Sequence, residues 1–183
     1  MAEKGWFFTS SGGVPSYTAG EFVKYFEAFF NQGVRNKPGG AMLVTAQGTP
    51  AMAVDVAVGI AHGSVGGGGY ALDLDAGKSL AISSNSSGST RIDSIIAEID
   101  ILNRAVLVKV LPGTPGAGAP TLTNNADTRH IELARVTVIN GETEITVAEI
   151  TDMRVNSRPQ VDLVGLATIL DDPLFFYFVR RGA

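Results

Sequence analysis

The feature that most constrains the fold is a series of short apolar runs separated by three segments rich in glycine, proline and serine, at residues 63–69, 83–89 and 112–120. We interpret these segments as loops, because glycine admits positive φ and proline removes a backbone donor. The runs between them have the length of strands. Residues 52–60 and 70–75 also alternate large apolar residues with small or acidic ones, and each range therefore predicts one strand with a buried face.

Two pairs of runs predict hairpins. Residues 92–101 and 105–111 are mostly apolar or β-branched and are joined by a short polar turn. Residues 131–139 and 144–154 form the second pair, joined near Asn-Gly at residues 140–141, since both residue types tolerate the positive φ of a type I′ turn. Many short strands with little helix predict a mainly β fold, an antiparallel β-sandwich or a small barrel.

One stretch indicates a helix near the N-terminus. Thr18 followed by Glu21 has the pattern of a capping box, and Phe22, Phe26 and Phe29 follow at helical spacing on one face. We predict an N-terminal amphipathic helix of about three turns. It would cap the core or, alternatively, dock against a neighbouring subunit.

The last part of the chain differs in character from the rest. Arg158-Pro159 interrupts the preceding strand pattern, and a dense aromatic run follows at residues 174–179. We therefore divide the chain into a β-rich domain at residues 1–157 and a C-terminal aromatic arm at residues 158–183. The aromatic run would be either a last core strand or an arm that pairs with the sheet edge of another subunit, where unpaired backbone groups accept an added strand.

Composition excludes several classes of function. With 45% hydrophobic and only 17% charged residues, the chain can build a core, and part of its apolar surface is expected to lie against other chains. The absence of cysteine excludes disulfides, thiolate metal sites and cysteine nucleophiles. A formal net charge of -4 without a long basic stretch argues against nucleic acid as a ligand. No stretch predicts a signal peptide or a membrane span, so we expect synthesis in a cytosol.

No residue pattern predicts catalysis, a cofactor or a metal site. His62 and His130 are the only histidines, and no Gly-x-Ser-x-Gly motif accompanies them, although a Ser-His-Asp site assembled in space stays an alternative. Gly-Lys-Ser at residues 77–79 lacks the upstream glycine of a phosphate-binding loop. Asp73 and Asp75 are interpreted as solvated carboxylates, with a cation site or an acid/base pair for glycan cleavage as alternatives.

Four short motifs occur in an order that is similar to a known family. They are Arg-Ile-Asp at residues 91–93, Leu-Pro-Gly-Thr-Pro at 111–115, Leu-Ala-x-Val at 133–136, and Ile-Thr-Asp-Met-Arg at 150–154. In this order they resemble the N-terminal domain of phage upper-baseplate and receptor-binding tail proteins, over roughly residues 15–155. No single motif carries the resemblance, which depends on their order and spacing. The loop motif departs from the family pattern, in which it is basic.

The resemblance implies a non-enzymatic virion protein of the phage tail. Such domains anchor fibres or receptor-binding modules, often as trimers, and their partners are other tail or baseplate proteins. Little chain follows Arg154, so we expect an attachment domain with a short arm rather than a separate receptor-binding head. The alternatives are a capsid decoration or head-fibre protein, and a carbohydrate-binding module that contacts a host surface glycan through exposed aromatic residues such as Tyr70.

Two groups of residues are expected to serve this role. Arg91, Asp93, Asp152 and Arg154 alternate with apolar neighbours on two predicted strands. We hypothesise that some of them pair across strands or cap loops and so fix the strand register, the alternative being ordinary solvent-facing charges. The second group is the expected subunit interface, aromatic residues near both termini that bury much area at low entropic cost. These are Trp6, Phe7, Phe8, Phe175, Phe176, Tyr177 and Phe178.

Overall fold

The computed structural model describes residues 19–27 and 30–157. The protein is mainly β, with 47% of residues in strands and 9% helical. Two 3₁₀ turns, Lys37–Gly39 and Val147–Glu149, complete the regular structure of the described ranges. The helix and strands in chain order are α1 (Ala19–Glu27), β1 (Gly33–Arg35), β2 (Val44–Ala46), β3 (Ala53–Val56), β4 (Gly59–Val65), β5 (Gly68–Leu74), β6 (Lys78–Ala81), β7 (Arg91–Asp100), β8 (Ala105–Leu111), β9 (Thr128–Val138), β10 (Ile150–Asp152) and β11 (Asn156–Ser157).

The strands form three sheets. Two have four strands each, in the orders β11-β1-β4-β5 and β10-β9-β7-β8, and the third has the order β2-β3-β6. All neighbouring strands are antiparallel except β1 and β11, which run parallel. The expectation of a mainly β fold with antiparallel sheets is therefore confirmed. Within the described ranges no sheet closes into a barrel.

The hydrophobic core lies where the sheets face each other. β4 contacts both β7 and β9, and β5 contacts β7. Alternate residues of β7 (Ile95, Ala97 and Ile99) pack there with Leu133 and Val136 of β9, and all five are at most 1% exposed. Burial of a side chain of isoleucine or leucine size contributes about 1.5–3 kcal/mol. This core holds β7 and β9 in place, and most of the buried polar residues described below lie on these two strands or bind to them.

The long strand predicted at residues 52–60 is two strands in different sheets. β3 ends at Val56, and β4 begins at Gly59. Val58, which the alternation placed on the apolar face, is 51% exposed. A side chain at position 59 would place its Cβ 2.8 Å from the Cβ of Ala41 and 2.8 Å from the backbone nitrogen of Met42. Gly59 therefore lets the chain pass close to another segment and change sheets, which a period-two pattern does not reveal.

The glycine-rich segment at residues 63–69 is mostly strand rather than loop. Only Gly66 and Gly67 form the turn between β4 and β5, with φ of +57° and +74°, the left-handed values of a two-residue type I′ hairpin. Gly63 belongs to β4 and faces the core, where a Cβ would lie 3.1 Å from Ile99 Cδ1 and 3.2 Å from Ile131 Cδ1. The glycine at this position allows the two four-stranded sheets to approach closely.

Both predicted hairpin pairings form, but the second connection differs from the prediction. β7 and β8 make the first hairpin. β10 pairs with β9 as expected, yet it has only three residues and eleven residues separate it from β9. Asn140 and Gly141 form a tight turn, in which the Glu142 N–H donates to the Ile139 carbonyl at 3.3 Å, but this turn does not lead directly into β10. The Gly141 N–H donates to the Asn85 carbonyl, and Asn140 Oδ1 accepts from the Gly88 N–H, so these residues fasten the loop before β7.

The predicted helix appears as α1, which packs against β5. Val23 is one of the contact residues, because a Cβ on Gly68 would lie 2.7 Å from Val23 Cγ2. Phe22 is partly exposed. The predicted N-cap Thr18 and the predicted Phe29 lie outside the described residues, as does the whole arm at residues 158–183. Among the described residues no helix is long and apolar enough to cross a membrane.

Candidate functional site

Arg91 and Asp93 form a buried ion pair that we call the Arg91 anchor. Arg91 Nε donates to Asp93 Oδ1 at 2.8 Å and Nη2 donates to Oδ2 at 2.9 Å. The residues are 8% and 1% exposed. Because they are two apart on β7, both side chains lie on the same face of the strand. A bidentate arginine–carboxylate pair fixes both distance and orientation.

The Arg91 anchor also binds the loops on either side. The Arg91 guanidinium donates to the carbonyls of Ser83, at 2.6 Å, and Ser84, at 3.3 Å. Asp93 Oδ1 accepts from the Gly113 N–H at 2.9 Å. Any side chain at position 113 would overlap the Ile92 carbonyl oxygen, so only glycine brings this N–H close enough. The motif at residues 91–93 and the glycine of the Leu-Pro-Gly-Thr-Pro motif therefore meet at one point.

Asp152 and Arg154 form a second pair at another place, which we call the Arg154 anchor. Arg154 Nε and Nη2 donate to the two Asp152 oxygens at 2.9 and 3.0 Å. Arg154 also donates to the Ala41 carbonyl, and its own carbonyl accepts from Lys37 Nζ at 2.6 Å. The hydrogen bond from Arg154, with the charges of Arg154 and Lys37, lowers the pKa of Asp152 to about 2 although partial burial opposes this.

The Arg154 anchor also brings two motifs together. β10, which carries Asp152, pairs with β9 so that Asp152 lies opposite Ala134 of the Leu-Ala-x-Val motif. The Met153 N–H continues this contact by donating to the Leu133 carbonyl at 3.0 Å. Both anchors therefore join residues that are two apart along the chain. Neither anchor joins two strands by direct charge pairing, although pairing across strands was one form of our hypothesis. Each binds backbone groups of other segments, and a role in fixing register stays a prediction.

A third polar cluster, which we call the Glu98 network, was not predicted. Glu98 of β7 lies directly opposite His130 of β9 in the strand register, and its Oε2 is 2.8 Å from His130 Nε2 and 2.6 Å from Lys109 Nζ. Because the Thr123 N–H donates to His130 Nδ1, the ring proton is placed on Nε2, which donates to Glu98. Burial alone would raise the pKa of Glu98, but the hydrogen bonds from Lys109 and His130 lower it below its ordinary value.

In the Glu98 network, unlike in the two anchors, side chains pair across strands. Glu98, Lys109 and His130 come from the neighbouring strands β7, β8 and β9. The signal for it was a glutamate within the apolar run of β7, at a position where an unpaired charge would be costly. The partners lie on strands that only the fold brings together. No cluster of three or more metal-ligating side chains occurs in the described ranges.

A pocket of about 350 Å³ lies beside His62. Its lining includes Glu27 at the end of α1, Phe30, Arg35 and His62. The Phe30 and His62 rings are stacked, with centroids 4.6 Å apart and planes inclined by 10°. Ser64 Oγ donates to Glu27. Burial, and then the charge of Arg35, lower the pKa of His62, so the imidazole is neutral at pH 7.

The remaining sequence predictions fall in separate places. Asp73 and Asp75 are exposed, Lys78 and Ser79 belong to strand β6, and Tyr70 borders the pocket beside His62. The predicted interface residues lie outside the described residues. They are Trp6, Phe7, Phe8, Phe175, Phe176, Tyr177 and Phe178. In comparisons with protein-family models, curated proteins and solved structures, we found no match to this chain.

Proposed function

We propose that this protein is a non-enzymatic structural subunit of a bacteriophage tail tip or baseplate, made in the host cytoplasm and carried in the virion. In this role it anchors or forms part of the host-adsorption apparatus by oligomeric assembly, most simply as a homotrimer. The proposal starts from the order of the four sequence motifs, and the positions of the motif residues in the fold support it.

One observation carries the proposal: the motifs meet in pairs in the fold. Asp93 accepts a hydrogen bond from the Gly113 N–H, and Asp152 lies opposite Ala134. The charged motif residues bind one another and backbone groups, as expected of a structural domain that holds loops in position. Because the charged motif residues are engaged with one another and with backbone groups, they support a role that depends on the shape of the domain rather than on a reaction centre.

We further propose that the two four-stranded sheets form a sandwich-like domain, with the N-terminal helix at one side and the C-terminal arm reaching a neighbouring subunit. Contacts of β4 and β5 with β7 and β9 support the sandwich. At the tip of the β7–β8 hairpin, Leu102 is 73% exposed and Val106 is 50% exposed. Apolar side chains exposed in this way favour contact with other subunits.

The test is the native mass of the purified protein by light scattering, with and without residues 174–183. A defined trimer or larger ring that dissociates on truncation would support assembly through the aromatic arm. A full-length variant in which Phe175, Phe176 and Phe178 are replaced by Ser separates the loss of aromatic contacts from the loss of chain length. A full-length protein that is a stable monomer would contradict the homo-oligomer, and a truncated chain with unchanged mass would contradict the role of the arm.

A further inference from the structure

The pocket beside His62 lies on the outer face of the sheet β11-β1-β4-β5. Along β4, Ala61, Gly63 and Val65 are buried toward the core, whereas His62 and Ser64 alternate with them and point to the other side. In the strand register Ser64 lies opposite Gly69 and His62 lies opposite Ala71. These small partners leave room above β5, and the end of α1 and Phe30 close the sides. The cavity is at the lower end of the size range of small-molecule sites, about 300–1,000 Å³.

His62 is the first group in this pocket that points to a ligand. Its Nε2 is buried and has no hydrogen-bond partner among the described residues. A buried polar atom without a partner is unfavourable, because it has given up its hydrogen bonds to water. Because the ring is neutral at pH 7, one nitrogen carries a proton and the other accepts. With the ring proton on Nε2, an oxygen atom placed beside it would remove this cost by accepting a hydrogen bond.

Arg35 is the second group. It is exposed and lies two residues after Gly33, which is opposite His62 in the register, so Arg35 and His62 share a face. No ion pair in the described part of the chain involves Arg35. Glu27, the carboxylate in the pocket lining, already accepts from the Ser64 hydroxyl. The pocket therefore offers Arg35 as one cation for pairing with a ligand. The Glu27 carboxylate would repel a second negative charge on that ligand.

We propose that this pocket binds a monocarboxylate with a flat apolar body, its carboxylate paired with Arg35 and hydrogen-bonded to His62, and its body against the Phe30–His62 stack. The planar guanidinium matches a carboxylate with two parallel hydrogen bonds, and a flat ring extends the existing stack at the offset that aromatic groups prefer. The inference does not depend on the proposed tail function, because it concerns the outer face of one sheet rather than the aromatic arm.

The experiment titrates the full chain with three probes and follows the imidazole resonances by NMR. Benzoate has the charge and the flat body, benzamide has the body without the charge, and phosphate has charge without an apolar body. His62 and His130 are the only histidines, so a His62→Gln variant assigns the signals. We expect benzoate to shift His62 and leave His130 unchanged, and to bind about tenfold or more tightly than benzamide or phosphate.

Arg35→Gln is the decisive variant and Arg104→Gln, at an exposed arginine in the β7–β8 turn, is its control. We expect Arg35→Gln to weaken benzoate about tenfold and to leave benzamide unchanged, with no effect of the control. Unchanged thermal melting of Arg35→Gln confirms that the variant is folded. The proposal is overturned if benzoate and benzamide bind equally, if phosphate binds as tightly as benzoate, or if benzoate gives no saturable shift at millimolar concentrations. Native mass would be unaffected by each of these results, which separates them from the assembly test.

Discussion

The Arg91 anchor and the Arg154 anchor use the same pair of side chains in opposite order along the chain, with similarly buried arginines but with carboxylates at different depths. Asp93 is 1% exposed, whereas the Asp152 side chain is 37% exposed. Both arginines donate two hydrogen bonds to the carboxylate and further ones to backbone carbonyls. Since the local geometry is alike, solvent access to the carboxylate decides how much each pair contributes to stability. Screening weakens the pair with the exposed Asp152, and desolvation makes the pair with the buried Asp93 costly to break.

The largest effect should come from removing the buried carboxylate by Asp93→Ala. This leaves the Arg91 guanidinium buried without its ion-pair partner and the Gly113 N–H without an acceptor. We expect a loss of about 3–5 kcal/mol in the free energy of unfolding, measured by urea denaturation. The control is Asp73→Ala at an exposed aspartate of β5, which should change stability by about 0.5 kcal/mol or less. Equal losses in the two variants would contradict the role of burial.

Gly113→Ala tests whether the loop contact depends on glycine. An added Cβ would overlap the Ile92 carbonyl, so the loop must move away and the hydrogen bond to Asp93 must lengthen. We expect a loss of about 1–3 kcal/mol, with the largest amide shifts at residues 91–93. Gly118→Ala is a matched control in the same loop, because a Cβ there meets nothing within 4 Å. The prediction is wrong if both alanine variants keep the stability of the parent.

The Arg154 anchor should be distinguished by its pH dependence. The pKa of Asp152 is about 2 in the folded protein, against an ordinary value of 3.8 for an aspartate. Its carboxylate therefore contributes stability that is fully present above pH ~4 and is lost as the pH falls toward ~2. After allowance for solvent screening this contribution is about 1 kcal/mol. Asp152→Asn should lower stability by that amount at pH 6, and the difference from the parent should become small near pH 2 and vanish below it. A difference that persists unchanged at pH 2 would exclude the ion pair as its source.

The parts of the fold that could be predicted are those set by local pattern. The β7–β8 hairpin follows from two apolar runs and a turn, and α1 from the spacing of its phenylalanines. The division between β3 and β4 could not be predicted, because alternation continues through residues 57–58 and only the close approach of Ala41 and Met42 reveals why Gly59 ends it. Likewise the tight turn at Asn140-Gly141 could be predicted, but its contacts with the loop at residues 83–89, and the start of β10 only at Ile150, could not.

The candidate sites divide in the same way. Arg91 and Asp93, like Asp152 and Arg154, are two apart in sequence, so alternation places each pair on one face of a predicted strand, although we expected pairing across strands or at loops rather than within each motif. The burial of each pair could not be predicted, because it depends on which loops fold over the pair. The partners of Glu98 and the pocket beside His62 lie on strands brought together by the sheet order, and no spacing in the sequence encodes that order directly.

The smallest effect should come from Lys109→Gln in the Glu98 network. The Lys109 side chain is 39% exposed, and His130 still donates to Glu98 when the ammonium is removed. We expect a loss of about 0–1 kcal/mol, while the Glu98 pKa, followed by carboxyl NMR, should rise toward its ordinary value because a hydrogen bond and a charge that lower it are gone. Arg104→Gln, in the neighbouring turn, is the control and should leave that pKa unchanged. If Lys109→Gln destabilised the protein as much as Asp93→Ala, exposure would not rank these interactions, and the contrast between the two anchors would need another cause than solvent access.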